Sequence, residues 1–340
     1  LGRADAEEIL VKLCKLAPTH PDGLWLLGRH YLKVGNLEAA EPLLESALAF
    51  DDRHRWAHVH MGELQYYRGR TDDAIRELRK HLDIDPMSEK ARLLLGDVLL
   101  HCGHLDEAEQ AYQFVLSHDP GHPSALYQLG LVYMHRGDFS SAVKSLLTAH
   151  EMAPAVPETL FRLAQALAAG GEAREAAARY RQGLMLGPDD REAQRGLADV
   201  LTKAEQWEEA IMILQRQVLA DPGDSRAHTD LGRALAGAGV DDEAIAHLGR
   251  AIDLDPHWAE PYLLLADLHE RAKSWEDARV VMSRYAGVFP QDPTGYYRLG
   301  TAYRGQGFHS EAAAAFRKYL RMAPDAPDAN QVKHWINEAL

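Results

Sequence analysis

Along most of the chain, apolar residues recur three and four positions apart, break at a turn, and then recur again. Leu126, Leu129, Gly130 and Tyr133 mark one such stripe, and Ala142, Leu146 and Ala149 mark the next. That spacing predicts a pair of amphipathic helices, each turning one face to a shared core. The same pattern returns every 34 residues without insertion. With position 1 set at Pro21, position 20 is alanine in all nine repeats, from Ala40 to Ala312. Position 8 is always small: Gly28, Gly62, Gly96, Gly130, Ala164, Ala198, Gly232, Ala266 and Gly300. Position 7 is Leu except at Met61, and position 24 is large and apolar, as in Leu44, Tyr112, Tyr180, Met282 and Phe316. Two small positions on facing helices allow close backbone approach, where a larger side chain overpacks the contact by roughly 1–3 kcal/mol.

The punctuation agrees with the stripes. Glycine at position 15 (Gly35, Gly69, Gly103, Gly137, Gly171, Gly239, Gly307) supplies the turn after the first helix. Proline at position 32, replaced once by Asp52, stops the second helix. Asp-Pro at 85–86, 119–120, 221–222 and 255–256 is turn chemistry. A helix pair repeated at this period is a solenoid unit that packs only on its neighbours. Nine full repeats are expected, at 21–54, 55–88, 89–122, 123–156, 157–190, 191–224, 225–258, 259–292 and 293–326. Residues 1–20 match the second helix of an upstream repeat, with Ala6, Leu10, Leu13 and Pro18 in register. Without the partner helix of that repeat, Ile9, Leu10, Leu13 and Leu16 are expected to present an open apolar face that upstream sequence or another chain could cover, suited to self-association. Residues 327–340 carry Val332, Trp335, Ile336 and Leu340 on one face, the shape of a C-terminal capping helix.

This pattern resembles the tetratricopeptide repeat (TPR) over essentially the whole chain. The resemblance implies an all-α, right-handed α-solenoid of antiparallel helix pairs, with the first helix of each pair lining a concave groove. One departure is position 4, where the family's aromatic survives only as Tyr262 and Tyr296; Leu24, His58, Arg92, Leu126, Leu160, Gln194 and His228 occupy the others. Repeat 6 is the weakest match. Glu205 takes the turn-glycine position, Gln217 an apolar one, and Gly196 sits mid-helix at a cost of about 1 kcal/mol relative to Ala. The highest flexibility is expected there.

In the geometry the resemblance implies, positions 2, 5, 6, 9, 12 and 13 face the groove. In repeats 1 to 5 these are largely apolar or aromatic: Trp25, Leu26, Trp56, Val59, Tyr66, Tyr67, Leu93, Leu94, Tyr127, Met134 and Phe161, joined by His60, His101 and His135. In repeats 6 and 7 they turn charged: Glu192, Arg195, Asp199, Lys203, Arg226, Asp230 and Arg233. Repeats 8 and 9 mix Leu263, Leu264, Asp267, Tyr297, Arg298 and Arg304. Leu93, Leu94, Leu263 and Leu264 are expected to pack between neighbouring repeats. Trp56, Tyr66 and Tyr67 are expected to bind, because aromatics in concavities concentrate binding energy. Two family specialisations do not fit. The Lys and Asn clamp for a terminal carboxylate is replaced by Trp25, Arg29, His60, Lys90 and Leu94, and none of the three asparagines (Asn36, Asn330, Asn337) falls in the groove.

Composition narrows the classes further. A formal charge of −14 argues against general nucleic-acid binding, which needs clustered Lys and Arg. No run of 18 apolar residues exists to span a membrane. The only cysteines are Cys14 and Cys102, so neither a disulfide framework nor a cysteine-rich zinc site is expected. No GxSxG, HExxH, Walker loop, GxGxxG or CxxC occurs, and His269-Glu270 lacks the second His of a zinc-protease helix, Lys273 standing there instead. Twelve of 18 histidines precede residue 151; His101 and His135 share position 13 in adjacent repeats, but no spacing enforces metal ligation, and ordinary polar surface is expected. No catalytic, metal or cofactor residues are assigned.

The expected function is a non-enzymatic scaffold that binds an extended or helical protein segment in its groove. Alternatives are the targeting or regulatory array of a larger enzyme, or a bacterial envelope assembly factor in polysaccharide export or secretion. The Ala, Arg, Gly and Asp-rich composition suggests a bacterial source. Starting at Leu1 without Met, the sequence resembles a trimmed or processed fragment. Scarce cysteine fits a cytoplasmic location, with a periplasmic one, or membrane association through an upstream segment, as alternatives.

Overall fold

The computed structural model describes residues 3–338, with side chains from Ala6 onward. Leu1 and Leu340, placed above in the first helix and on the capping face, lie outside the described residues. Every element among the described residues is helical. The chain divides into two compact units, residues 1–172 and 173–340. The N-terminal unit contains α1 (Arg3–Leu16), α2 (Pro21–Lys33), α3 (Leu37–Phe50), α4 (Ala57–Tyr67), α5 (Thr71–Ile84), α6 (Glu89–His101), α7 (Leu105–His118), α8 (Pro123–Arg136), α9 (Phe139–Met152) and α10 (Pro157–Ala169). The C-terminal unit contains α11 (Ala173–Leu186), α12 (Arg191–Lys203), α13 (Trp207–Ala220), α14 (Ser225–Gly237), α15 (Asp241–Leu254), α16 (Glu260–Arg271), α17 (Trp275–Val288), α18 (Pro293–Gly305), α19 (His309–Met322) and α20 (Ala329–Glu338).

Each unit is an α-solenoid of stacked helix pairs. In the N-terminal unit α2 packs on α3, α4 on α5, α6 on α7 and α8 on α9, and each second helix also packs on the next first helix. The first helices α2, α4, α6, α8 and α10 touch one another in series, whereas the second helices show no comparable packing among the described residues. The first helices therefore form the inner layer of this unit, and α12, α14 and α16 do the same in the C-terminal unit.

The close approach within a pair depends on the glycine at position 8. A Cβ on Gly62 would lie 2.7 Å from Leu78 Cγ, and one on Gly130 2.6 Å from Leu146 Cγ. The small residue thus receives the large side chain at position 24, with the carbonyl of the position-20 alanine 3.3 Å away at Gly62. The turn glycines at position 15 all have φ between 73° and 86°. Two residues with side chains share that left-handed conformation: Glu205 at φ 58° and Lys273 at φ 55°.

Two polar devices tie the layers together. The residue before each of five first helices caps it: Ser88, His122, Asp190, Asp224 and Asp292 accept from backbone N–H groups of the first turn, and His54, three residues before α4, accepts from the Ala57 N–H. Such caps contribute roughly 1 kcal/mol each. Position 4 replaces the missing aromatic with a shared hydrogen bond. His58, Arg92, Gln194, His228, Tyr262 and Tyr296 all reach the carbonyl of the residue six positions earlier, Asp52 in the first case and a proline in the others. These bonds cover carbonyls left over where the preceding helix ends.

Six of the histidines lie inside the protein instead of on the polar surface expected of them. His54, His58, His60, His81, His228 and His269 are buried. At the C-terminal end, Val332 and Ile336 of α20 are buried, and Trp335 tilts against Phe316 with ring centres 5.4 Å apart. At the other end Leu13 and Cys14 pack near Gly23 of α2, while Ile9, Leu13 and Leu16 remain exposed.

Candidate functional site

On the inner layer of the N-terminal unit the expected groove residues separate into three groups. Trp25, Trp56 and His60 form an interior knot. The Trp25 ring lies 5.4 Å from His54 and 5.8 Å from His60, with Arg29 over its face at 5.7 Å. His60 is only 5% exposed; its Nδ1 is 2.8 Å from the Trp56 carbonyl and 3.1 Å from Trp25 Nε1, and its Nε2 is 3.4 Å from Lys90 Nζ. The Trp25 indole N–H and the Lys90 ammonium only donate and the Trp56 carbonyl only accepts, so a neutral imidazole, with one N–H and one lone pair, cannot serve all three at once. Burial first, then the nearby Lys90, Arg29 and Lys33, lower the His60 pKa to about 4. Trp56 stacks 6.1 Å from the fully buried His81 and carries Arg55 at 5.1 Å. These residues hold α2, α4 and α5 together more than they present a surface.

Phe161 corrects the groove assignment: at 5% exposure it belongs to the core of α10. The second group faces outward. Tyr67 is 60% exposed and tilts against half-buried Tyr66, which meets the His101 ring edge-on at 5.7 Å. His135 is exposed and Met134 half-buried. No ring contact or hydrogen bond joins His101 to His135 among the described residues.

The third group lines two adjoining depressions. One, of about 400 Å³, is bounded by Glu63, Glu89, Lys90, Leu93, Leu94, Asp97 and His122. The other, of about 470 Å³, has Pro123, Tyr127, Ala149, Ala153 and Val156 as apolar walls, with Asp97, Gln128 and Glu158 as polar ones. Tyr127 Oη donates to Glu158 Oε1 at 3.4 Å. Leu93 and Leu94 serve twice, packing on the core of α6 and flooring the first depression.

Asp97 lines both depressions and was not singled out by sequence. Tyr112 Oη donates to its Oδ1 at 2.8 Å, and Gln128 Nε2 donates to the same oxygen at 2.7 Å. Burial raises its pKa and these two hydrogen bonds partly offset that. A signal was present: Asp97 is the one charged residue within Leu93–Leu100, an otherwise apolar stretch.

The charged groove residues of the C-terminal unit pair with one another. Arg195 meets Asp224 at 2.8 Å and Asp230 at 3.5 Å; Arg233 meets Glu260 at 2.6 Å and Asp230 at 3.3 Å. Arg298 pairs with Asp267 and lies 3.7 Å from Glu270. Arg226 is exposed, and Tyr297 is half-buried 5.2 Å from the Tyr319 ring. Among the described residues, no group of three or more His, Cys, Asp or Glu is placed to hold a metal, and no helix is long and apolar enough to cross a membrane. Cys14 and Cys102 are both unpaired thiols.

Sequence models described as tetratricopeptide repeat match residues 26–55, 65–113, 102–157, 167–236, 241–303 and 297–330. Among solved structures, the chain is similar to the C-terminal part of a TPR repeat-containing protein from Cytophaga hutchinsonii. That likeness has 15% identity, covers 70% of this chain and 97% of that one, and has a TM-score of 0.58. It is also similar to a tetratricopeptide repeat protein from Parabacteroides merdae, at 17% identity over 73% of this chain and 98% of that one, with a TM-score of 0.54. Both likenesses concern the fold alone. MamA from Desulfovibrio magneticus is 26% identical, over 50% of this chain and 95% of that one, with a TM-score of 0.45. No curated protein matches the sequence.

Proposed function

Since the chain belongs to the tetratricopeptide repeat family, we propose that it is a non-enzymatic scaffold holding an extended or helical protein segment against the first-helix face of its N-terminal unit. The observation that carries this is the pair of adjoining depressions over α6, α8 and α10, partly apolar and open on one face. Concave apolar surface with a few fixed polar groups is what a peptide needs for orientation and affinity. The first-helix face of the C-terminal unit offers less, because Arg195, Arg233 and Arg298 already have carboxylate partners.

Site-specific photo-crosslinking in the source cells tests this. A crosslinker at Tyr127 or Val156 is expected to capture one common protein, and one at exposed Val280 on α17 is not. Capture only from Val280 overturns the assignment of the face.

A second role rests on a separate observation. Ile9, Leu13 and Leu16 form an exposed apolar edge on α1, with Leu16 85% exposed. This edge supports self-association. Light scattering is expected to show a concentration-dependent rise in mass that Leu16→Glu abolishes; a strict monomer at all concentrations sinks this role.

A further inference from the structure

We propose that Asp97 anchors a Lys or Arg side chain of the docked segment, and that an apolar side chain of the same segment sits beside it against Tyr127 and Val156. This rests on the groove assigned above and adds the chemistry of its occupant.

The first argument is the state of the carboxylate. Both of its hydrogen bonds, from Tyr112 and Gln128, end on Oδ1 and come from neutral donors. Oδ2 has no protein donor among the described residues. A carboxylate accepts at both oxygens, and a desolvated one is stabilised most by a cation. An incoming ammonium or guanidinium would gain a charge-assisted bond at Oδ2 without displacing either existing donor.

The second argument is a contrast within the chain. Several other acids on the first helices have basic partners: Asp199 has Lys203, Asp230 has Arg195 and Arg233, and Glu270 has Arg298, whereas Glu89 at the start of α6 has none among the described residues. Asp97 has no ion pair among the described residues. Lys90 shares its depression, but Lys90 Nζ sits 3.4 Å from His60 Nε2 and 3.9 Å from Glu63.

The third argument is complementarity. Glu89 adds negative charge beside Asp97 in a chain of formal charge −14, while Glu63 and Glu158, which also line the depressions, are partly balanced by Lys90 and Arg162. Asp97 borders both depressions, so the basic side chain and the apolar one that fills the second depression must be near neighbours in the segment.

The test uses a phage-displayed library of random peptides panned on the full chain. Selected peptides are synthesised and titrated by fluorescence anisotropy against wild type, Asp97→Asn and Val156→Asp. The asparagine keeps an oxygen for Tyr112 and Gln128, and an unchanged melting temperature confirms that the fold is intact. Selected peptides are expected to carry Lys or Arg close to an aliphatic or aromatic residue. Asp97→Asn is expected to weaken them by about tenfold or more, the scale of one hydrogen bond to a charged group. Replacing the peptide's basic residue by Gln should cost a similar factor on wild type and little more on Asp97→Asn. Peptides without a basic residue, indifferent to Asp97→Asn yet lost on Val156→Asp, overturn the anchor and leave the groove standing. Peptides that bind Val156→Asp as well as wild type overturn the groove, and a library that yields no binder counts against both.

Discussion

The Nδ1 atoms of His228 and His247 lie 2.9 Å apart, and their rings are 5.1 Å apart between centres. One imidazole must donate and the other accept, so a proton on the acceptor would set two N–H groups against each other. Burial lowers the pKa of both; Arg250 adds to this at His228, while Asp224 and Glu243 act the other way. His60, His81 and His269 are also lowered, chiefly by burial, His60 to about 4. His58 runs opposite, because Glu77 and the Asp52 carbonyl outweigh its burial.

For the lowered histidines, the unfolded chain takes up protons near its ordinary pKa of about 6.5 while the folded chain resists. Their contribution is therefore complete above that pH and is lost as pH falls through their lowered values, which for His60 lies at about 4. His58 contributes in the reverse sense, fully below about pH 6.5 and less as pH rises through its raised value. With five groups against one, urea midpoints are expected to drop between about pH 7.5 and about pH 5. His228→Tyr, which places the residue found at Tyr262 and Tyr296, should reduce that drop. A midpoint that rises on acidification would contradict the assignment.

Glycines in this chain fall into two kinds that stability measurements should separate. At Gly130 a methyl group meets Leu146 Cγ at 2.6 Å, inside the contact that joins α8 to α9. Gly130→Ala is expected to destabilise by roughly 1–3 kcal/mol. At Gly249, inside α15, nothing lies within 4 Å of an added Cβ. Gly249→Ala is expected to stabilise by about 0.5–1 kcal/mol through helix propensity. Denaturant midpoints showing the reverse order would refute the packing account of position 8.

The helix pairs were legible because a 34-residue period repeats the same stripe, so errors at one position are corrected by the others. The site was less legible because a face rule gives direction and not depth. His60 and Phe161 lie on the expected helices, yet Trp25, Trp56 and Lys90 enclose the one and α10's own core encloses the other. Arg195 and Arg233 were visible as charges, each with an acid three residues before it, but their partners Asp224, Asp230 and Glu260 on the next helix pair stand 27 to 35 residues away, beyond any local pattern. At position 4 the sequence showed an aromatic kept at Tyr262 and Tyr296 and lost in the other repeats. Arg, Gln, His and Tyr share no shape, and what unites them is a donor that reaches one carbonyl.

Backbone strain offers the sharpest test of the weak sixth repeat. Glu205 holds φ at 58° where seven other turns use glycine, a conformation that costs a residue with Cβ roughly 1–2 kcal/mol. In the same helix pair Gln217 donates to the Arg191 carbonyl at 3.1 Å but leaves its buried Oε1 without a partner. Gly196 is not a defect of the same sort: a Cβ there would lie 2.4 Å from Tyr180 Oη, so the glycine makes room for the large position-24 residue of the preceding repeat. Glu205→Gly is therefore expected to stabilise by about 1 kcal/mol, and Gly196→Ala to destabilise despite its better helix propensity. Hydrogen exchange should find α12 and α13 opening more readily than α8 and α9, and Glu205→Gly should slow exchange in α12 and α13. Lys273, at φ 55° between α16 and α17, provides an independent copy of the experiment. Two glycine substitutions that both lower the denaturation midpoint would show that these turns are not strained.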